Sequence, residues 1–229
     1  MAHYREVAFG SIRCTLFIIP MEIALGIIIV IFSIILHEIA HGFMADRLGD
    51  PTARYAGRLT LNPLPHIDPV GSIIIPGLLA ITHSPFLIGW AKPVPYNPYN
   101  LRNQRWGEAL VAVAGPLTNV VLAILLGLLI RFAGVIALPQ GILAAAAYGC
   151  ILNIVLALYN LIPVPPLDGS KILRALLPLR GRLAFGDLER SMYAMGPIGL
   201  LLVGLVAIYL LWPLLSGLVS WIFLLITGI

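Results

Sequence analysis

Charge is scarce in this chain of 229 residues: 10% are Asp, Glu, Lys or Arg, while 60% are hydrophobic. Soluble domains carry roughly a quarter charged residues, so that shortage excludes an ordinary water-soluble fold. Cysteine is scarce too. The two present, Cys14 and Cys150, sit in apolar surroundings with no pairing pattern, which excludes a cysteine-built metal knot or redox pair and reads both as packing residues. No Ser/Pro/Gly-rich linker, repeat or low-complexity tract sets off a second module, so a single membrane-embedded domain over 1–229 is expected, without an appended regulatory domain. The apolar stretch that begins beyond Arg13 lacks a small-residue cleavage motif and is read as retained. The formal charge of +4 does not form a soluble basic face, which excludes nucleic acid as a partner.

What is present is long apolar runs, at 23–36, 109–130, 142–161, 198–212 and 214–229. Several reach the roughly 20 residues that cross about 30 Å of hydrocarbon. The expected fold is an all-α integral membrane protein, a bundle of about five to six transmembrane helices passing repeatedly through the lipid bilayer of a cell membrane. Basic residues gather in three polar stretches: Arg47, Arg54 and Arg58; Lys92, Arg102 and Arg105; Lys171, Arg174, Arg180, Arg182 and Arg190. The connection after the second long run carries only Arg131, so the positive-inside rule turns the three stretches to the cytoplasm and Arg131 outward.

A helix is expected from about residue 21 to about 48, stopped by Gly49, Asp50 and Pro51. In the polar stretch 51–69, alternation around Arg58, Thr60 and Asn62 predicts a short β-hairpin, while Pro63, Pro65 and Pro69 exclude a regular helix. The apolar segment 70–90 is interrupted by Pro76, Gly77, His83 and Pro85, and both its flanks read as cytoplasmic. That predicts a re-entrant or broken segment, which membrane depth tolerates only where protein or a watery cavity surrounds it.

The first helix contains the segment HEIAH. On a helix His37 and His41, four residues apart, project from one face and can hold one metal ion, while Glu38 is turned about 100° away, towards a water on that metal. This is the H-E-x-x-H arrangement of zinc hydrolases, in which the metal brings the pKa of a water towards 7 and the glutamate takes its proton. Fourteen uncharged residues precede the motif, placing His37 about 21 Å along the helix with Arg47 about 15 Å beyond. Ionisable groups at such depth are costly and mark functional sites, though polar groups bonded between helices are the alternative. The metal is expected nearer the cytoplasmic face. A zinc ion held by two histidines needs a third protein ligand, and Asp168, in NLIPVPPLDG, is the best candidate; a competing reading makes it the N-cap of the helix SKILRALL, and the two roles are compatible.

Together, HEIAHG, RLGDPTARYAGRLTLNPLPHIDPVGS, GWAKPVPYNPYNLR, AGPLTN and NLIPVPPLDGSKIL resemble the site-2 protease family, peptidase family M50, in its short form without PDZ or CBS domains. The resemblance implies one zinc per chain held by His37, His41 and Asp168, Glu38 as catalytic base, and Asn160 as a donor to the substrate or its oxyanion. It also implies a transmembrane protein as substrate, cut in or next to its membrane span. Ser170 and Lys171 depart from the residues that often follow the family's Asp-Gly. His66 and Asp68 are read as loop-shaping, and Asn119 and Asn153 as bonded between helices or as orienting a zinc ligand from behind.

The leading function is therefore a zinc endopeptidase acting on membrane proteins, as in regulated intramembrane proteolysis. A substrate helix must unwind to be cut, and addition of a strand at an edge near 58–62 is the expected means. Two other classes stand beside it: a metal transporter, which has little use for Glu38, and a pseudoenzyme, against which the intact HEIAH and Asp168 argue.

Overall fold

The computed structural model describes residues 21–82 and 89–229. Cys14, the stretch after Arg13, His83 and Pro85 lie outside the described residues. The described helices are α1 (Met21–Arg47), α2 (Thr52–Tyr55), α3 (Ile75–Ile81), α4 (Gly107–Arg131), α5 (Ala133–Ile136), α6 (Gln140–Asn160), α7 (Asp168–Leu176), α8 (Leu179–Tyr193) and α9 (Gly196–Thr227). Four of them, α1, α4, α6 and α9, are long and apolar enough to cross a membrane. The fold is that of an all-α membrane protein.

Two apolar runs that the sequence separates at Pro213 join into the single helix α9, with the proline inside it. A spanning helix tolerates such a proline because its neighbours and local backbone adjustment satisfy the freed carbonyl. Helix α4 is central, packing on α1, α6, α7 and α9. Its buried positions are mostly small, among them Gly107, Ala109, Ala112, Ala114, Gly115, Ala123 and Gly127, which lets neighbouring backbones come close. Cys150 lies buried in the core with Ala123, Ile130, Ala146, Ile154 and Val219, its thiol donating to Ala123 O at 3.3 Å, as a packing residue does.

The predicted β-hairpin is not formed: among the described residues, 51–69 holds α2, a short 3₁₀ turn at Leu64–His66 and irregular turns. Side chains take the place of the expected ladder. Asn62 N–H donates to Thr60 Oγ1, Leu64 N–H to Asn62 Oδ1, and the His66 ring bonds Thr60 O at 3.0 Å. Short polar side chains compete with strand pairing in this way, and the alternation around Arg58, Thr60 and Asn62 concealed it. The edge expected near 58–62 is therefore absent. Asp68 shapes the loop as read, accepting from the N–H groups of Val70 and Gly71 at the start of the π-helical stretch Pro69–Ile74.

That stretch and α3 together make a short apolar helix, Pro69–Ile81, below the length of a full crossing. Trp90 N–H donates to Gly71 O at 3.1 Å, so the excursion returns to the place it left. An extended strap follows. Lys92 N–H donates to His66 O, and the buried Arg58 guanidinium donates to Lys92 O at 2.6 Å. The three basic stretches share one end of the bundle: Arg102 N–H donates to Leu48 O and Arg105 Nε to Ala175 O. Arg131, at the other end, donates to Leu225 O and Ile226 O.

Asp50 ties the loops of that end together. It is fully buried and accepts from Thr52 N, Thr52 Oγ1, Asn97 N and Asn100 Nδ2. Burial alone would raise its pKa, but these donors outweigh burial and hold it below the ordinary 3.8. A depressed carboxylate stabilises the fold above its unfolded value, and the contribution is lost as pH falls through the lower folded one. Asp50→Ala is expected to cost about 1.5–3 kcal/mol and to flatten the acid limb of stability, read by thermal unfolding in detergent at several pH values. An unchanged acid limb would show that Asp50 is not the group responsible.

Candidate metal centre

The histidines of HEIAH do share one face of α1. His37 Nε2 and His41 Nε2 lie 3.0 Å apart, and Asp168 Oδ2 stands 3.3 Å from the first and 3.2 Å from the second. All three side chains are buried, and their donor atoms fall within 4.8 Å of one another. Each ring has its other nitrogen engaged by α4: His37 Nδ1 meets Asn119 Oδ1 at 2.5 Å, and His41 Nδ1 meets Val111 O at 2.8 Å. A neutral imidazole that donates from Nδ1 has its lone pair on Nε2. Two such lone pairs and a carboxylate oxygen repel one another until a cation lies among them. Two nitrogens and one oxygen, with a side open to a cavity, are the donor set of a hydrolytic zinc site.

Asp168 is the first residue of α7 and makes no capping bond, so the N-cap reading fails and its carboxylate is turned to the histidines instead. The chain reaches it through 161–167, where Pro163, Pro165 and Pro166 resist helix, with a cis bond between the last two. Gly169 makes the turn possible: a Cβ there would stand 2.2 Å from Leu161 O. Helix α7 is then pinned by Arg174, which pairs with Glu108 of α4 and Glu189 of α8.

Gly115 has the corresponding place under the histidines. A Cβ on it would stand 2.5 Å from His41 Nε2 and 2.6 Å from His37 Cε1. Gly115→Ala is expected to push both rings aside, costing roughly 1–3 kcal/mol in overpacking and weakening zinc retention under chelator competition. A variant as tight as wild type would show that α4 does not set the ring positions.

Glu38 lines the same cavity of about 600 Å³ and accepts from Val94 N–H of the strap at 2.9 Å. Asn160 also lines it, at the end of α6, but its amide donates to Leu156 O of its own helix, and among the described residues no side-chain bond joins it to the three donors. Lys171 is the site residue that sequence reading passed over as a mere departure. Its Nζ is 3.6 Å from Asp168 Oδ1 and lies over the Tyr96 ring. Burial alone would lower the Lys171 pKa; the Tyr96 and Asp168 oxygens outweigh it and hold the ammonium above its ordinary value, hence charged. Its spacing of three residues from Asp168 on one helix was the signal available. The Val94 amide and the Val111 carbonyl left none, since a main-chain group carries no residue signature.

Comparison with known proteins agrees with this chemistry. The pattern of peptidase family M50 matches residues 131–203, a span that holds Asn160 and Asp168. YwhC of Bacillus subtilis is 37% identical over 83% of this chain and 85% of its own length. Rip2 of Mycolicibacterium smegmatis is 34% identical over 61% of this chain and 52% of its own, and MJ0611 of Methanocaldococcus jannaschii 40% over 28% and 32%. Each is named as a zinc metalloprotease. No solved structure matches the chain significantly. The helical fold and its buried nitrogen and oxygen donors thus define a membrane-type zinc metalloprotease. By its similarity to YwhC along most of both chains, this protein belongs to the site-2 protease family, peptidase family M50.

Proposed function

We propose that the chain is a single-domain intramembrane endopeptidase that hydrolyses peptide bonds in or next to the transmembrane segments of other membrane proteins. The observation that carries this reading is the position of the donors. His37 lies about ten residues, or roughly 15 Å, inside the charged end of a spanning helix, on a cavity lined by the spanning helices α1, α6 and α9 together with the strap and α7. A soluble peptide has no route to such a place that a membrane segment lacks. The strap lines that cavity through Gly89, Trp90, Ala91, Pro93, Val94 and Tyr96, at the basic end of the bundle, which faces the cytoplasm by the positive-inside rule.

His37, His41 and Asp168 hold the zinc in this reading. When bound, zinc supplies Lewis acidity, polarising a carbonyl and making a water acidic. Glu38 takes the proton of the attacking water and passes it to the leaving amine nitrogen as the C–N bond breaks. Its bond to Val94 N–H keeps the carboxylate on the cavity wall and not among the metal donors. Asn160, which also lines the cavity, uses one amide proton on Leu156 O and keeps the other to give to a developing oxyanion.

The test is reconstitution of the full chain with zinc in liposomes that also carry single-span model proteins, with products mapped by mass spectrometry. Cuts within or beside the spans, absent with Glu38→Gln, are the expected result. Cuts only in soluble regions far from any span would refute intramembrane specificity, and zinc flux without any cut would favour a transporter.

A further inference from the structure

Three buried polar side chains lie deep among the apolar spanning helices: Ser33 of α1, Asn119 of α4 and Asn153 of α6. They form a chain that ends on His37. Asn153 Nδ2 donates to Gly149 O and to Ser33 Oγ, both at 2.8 Å; Asn119 Nδ2 donates to Asn153 Oδ1 at 2.9 Å; and Asn119 Oδ1 meets His37 Nδ1 at 2.5 Å.

The direction of this chain is forced. Gly149 O is a main-chain carbonyl and only accepts, so the NH2 of Asn153 must face it, which turns Asn153 Oδ1 to Asn119. Asn119 must then offer its NH2 to Asn153 and its oxygen to His37. An oxygen there requires the proton of His37 on Nδ1, and the lone pair on Nε2, the nitrogen beside His41 and Asp168. His41 needs no such relay because Val111 O fixes it directly.

We infer that Asn119 and Asn153 are positioning residues that select the metal-binding tautomer of His37, with the carbonyl of Gly149 as the fixed point from which the polarity runs. The inference rests on His37 being a zinc ligand. It assigns a role in the zinc site to Asn153, which touches neither the metal donors nor the cavity. Ser33 is a supporting contact, since Gly149 O alone suffices to orient the Asn153 amide.

Asn153→Leu keeps the side-chain volume and removes the acceptor that orients Asn119, whose amide is then free to present NH2 to His37 and reverse its tautomer. The expected result is zinc affinity lower by about 10- to 100-fold, the usual cost of losing an outer partner, in chelator competition on the full chain in detergent. Asn119→Leu, at the adjoining link, should lose a similar amount, so the outcome does not depend on one variant folding. Adding Asn119→Asp to Asn153→Leu should recover most of the loss, because a carboxylate offers His37 an oxygen whichever way it is turned. Ser33→Ala should bind zinc nearly as wild type does.

Wild-type zinc affinity in both leucine variants would overturn the inference. So would a loss in Asn153→Leu that Asn119→Asp fails to recover, or a loss in Ser33→Ala as deep as that in Asn153→Leu, since a packing defect behaves in that way. His37→Ala separates the two levels. If it leaves zinc affinity unchanged, the ligand assignment itself fails; if it weakens zinc while the leucine variants do not, only the relay fails.

Discussion

Glu38→Gln is expected to lower turnover by about 10²- to 10⁴-fold, the range for loss of general acid–base catalysis, while the protein keeps its zinc. The substitution is close to isosteric. A glutamine oxygen accepts from Val94 N–H as the carboxylate does at 2.9 Å, so the strap stays where it is. What disappears is the group that takes a proton from water and returns it to the leaving amine. Because Glu38 is outside the group of three donors that converge, the metal content should be unchanged. The measurement is cleavage of a single-span model protein in liposomes beside metal analysis of the same preparation. Zinc lost in step with activity would make Glu38 a ligand and sink its assignment as base.

Removing the carboxylate of Asp168 should act in the opposite way, on the metal first. Asp168→Ala leaves two neutral imidazoles, and its zinc affinity should fall by more than the roughly 10- to 100-fold that loss of an outer partner costs. A second effect accompanies it. Lys171 Nζ stands 3.6 Å from Asp168 Oδ1 and loses its counter-charge, a defect worth up to about 3 kcal/mol when the pair is buried. Asp168→Ala combined with Lys171→Met should therefore regain stability in thermal unfolding without regaining zinc. Recovery of zinc in the double variant would mean that Asp168 held the fold and not the metal.

The sequence made much of this site legible because its signals are local. His37 and His41 need only helical periodicity to share a face, and the apolar residues before them give their depth. Asp168 is different: its place in NLIPVPPLDG made it a candidate, but the bond pattern that chooses between cap and donor exists only when α7 meets α1. The hairpin was misread for a related reason. Alternation around Arg58, Thr60 and Asn62 is the same whether a partner strand is present or not, and here the bonds go to Thr60, Asn62 and His66 instead. The last two apolar runs, 198–212 and 214–229, likewise form one helix, because a proline such as Pro213 is tolerated inside a spanning segment.

By itself, then, the chain determined a helical membrane protein carrying a zinc-hydrolase motif at depth, since hydrophobic run length and i, i+4 spacing are properties of contiguous residues. Tertiary structure decided the rest: that Asp168 faces the histidines, that Val94 N–H holds Glu38, that Gly115 gives the rings room, and that a carbonyl on α6 governs a nitrogen on α1. Those relations join residues far apart in sequence through directional bonds and close contacts, and no local pattern encodes which distant groups will meet.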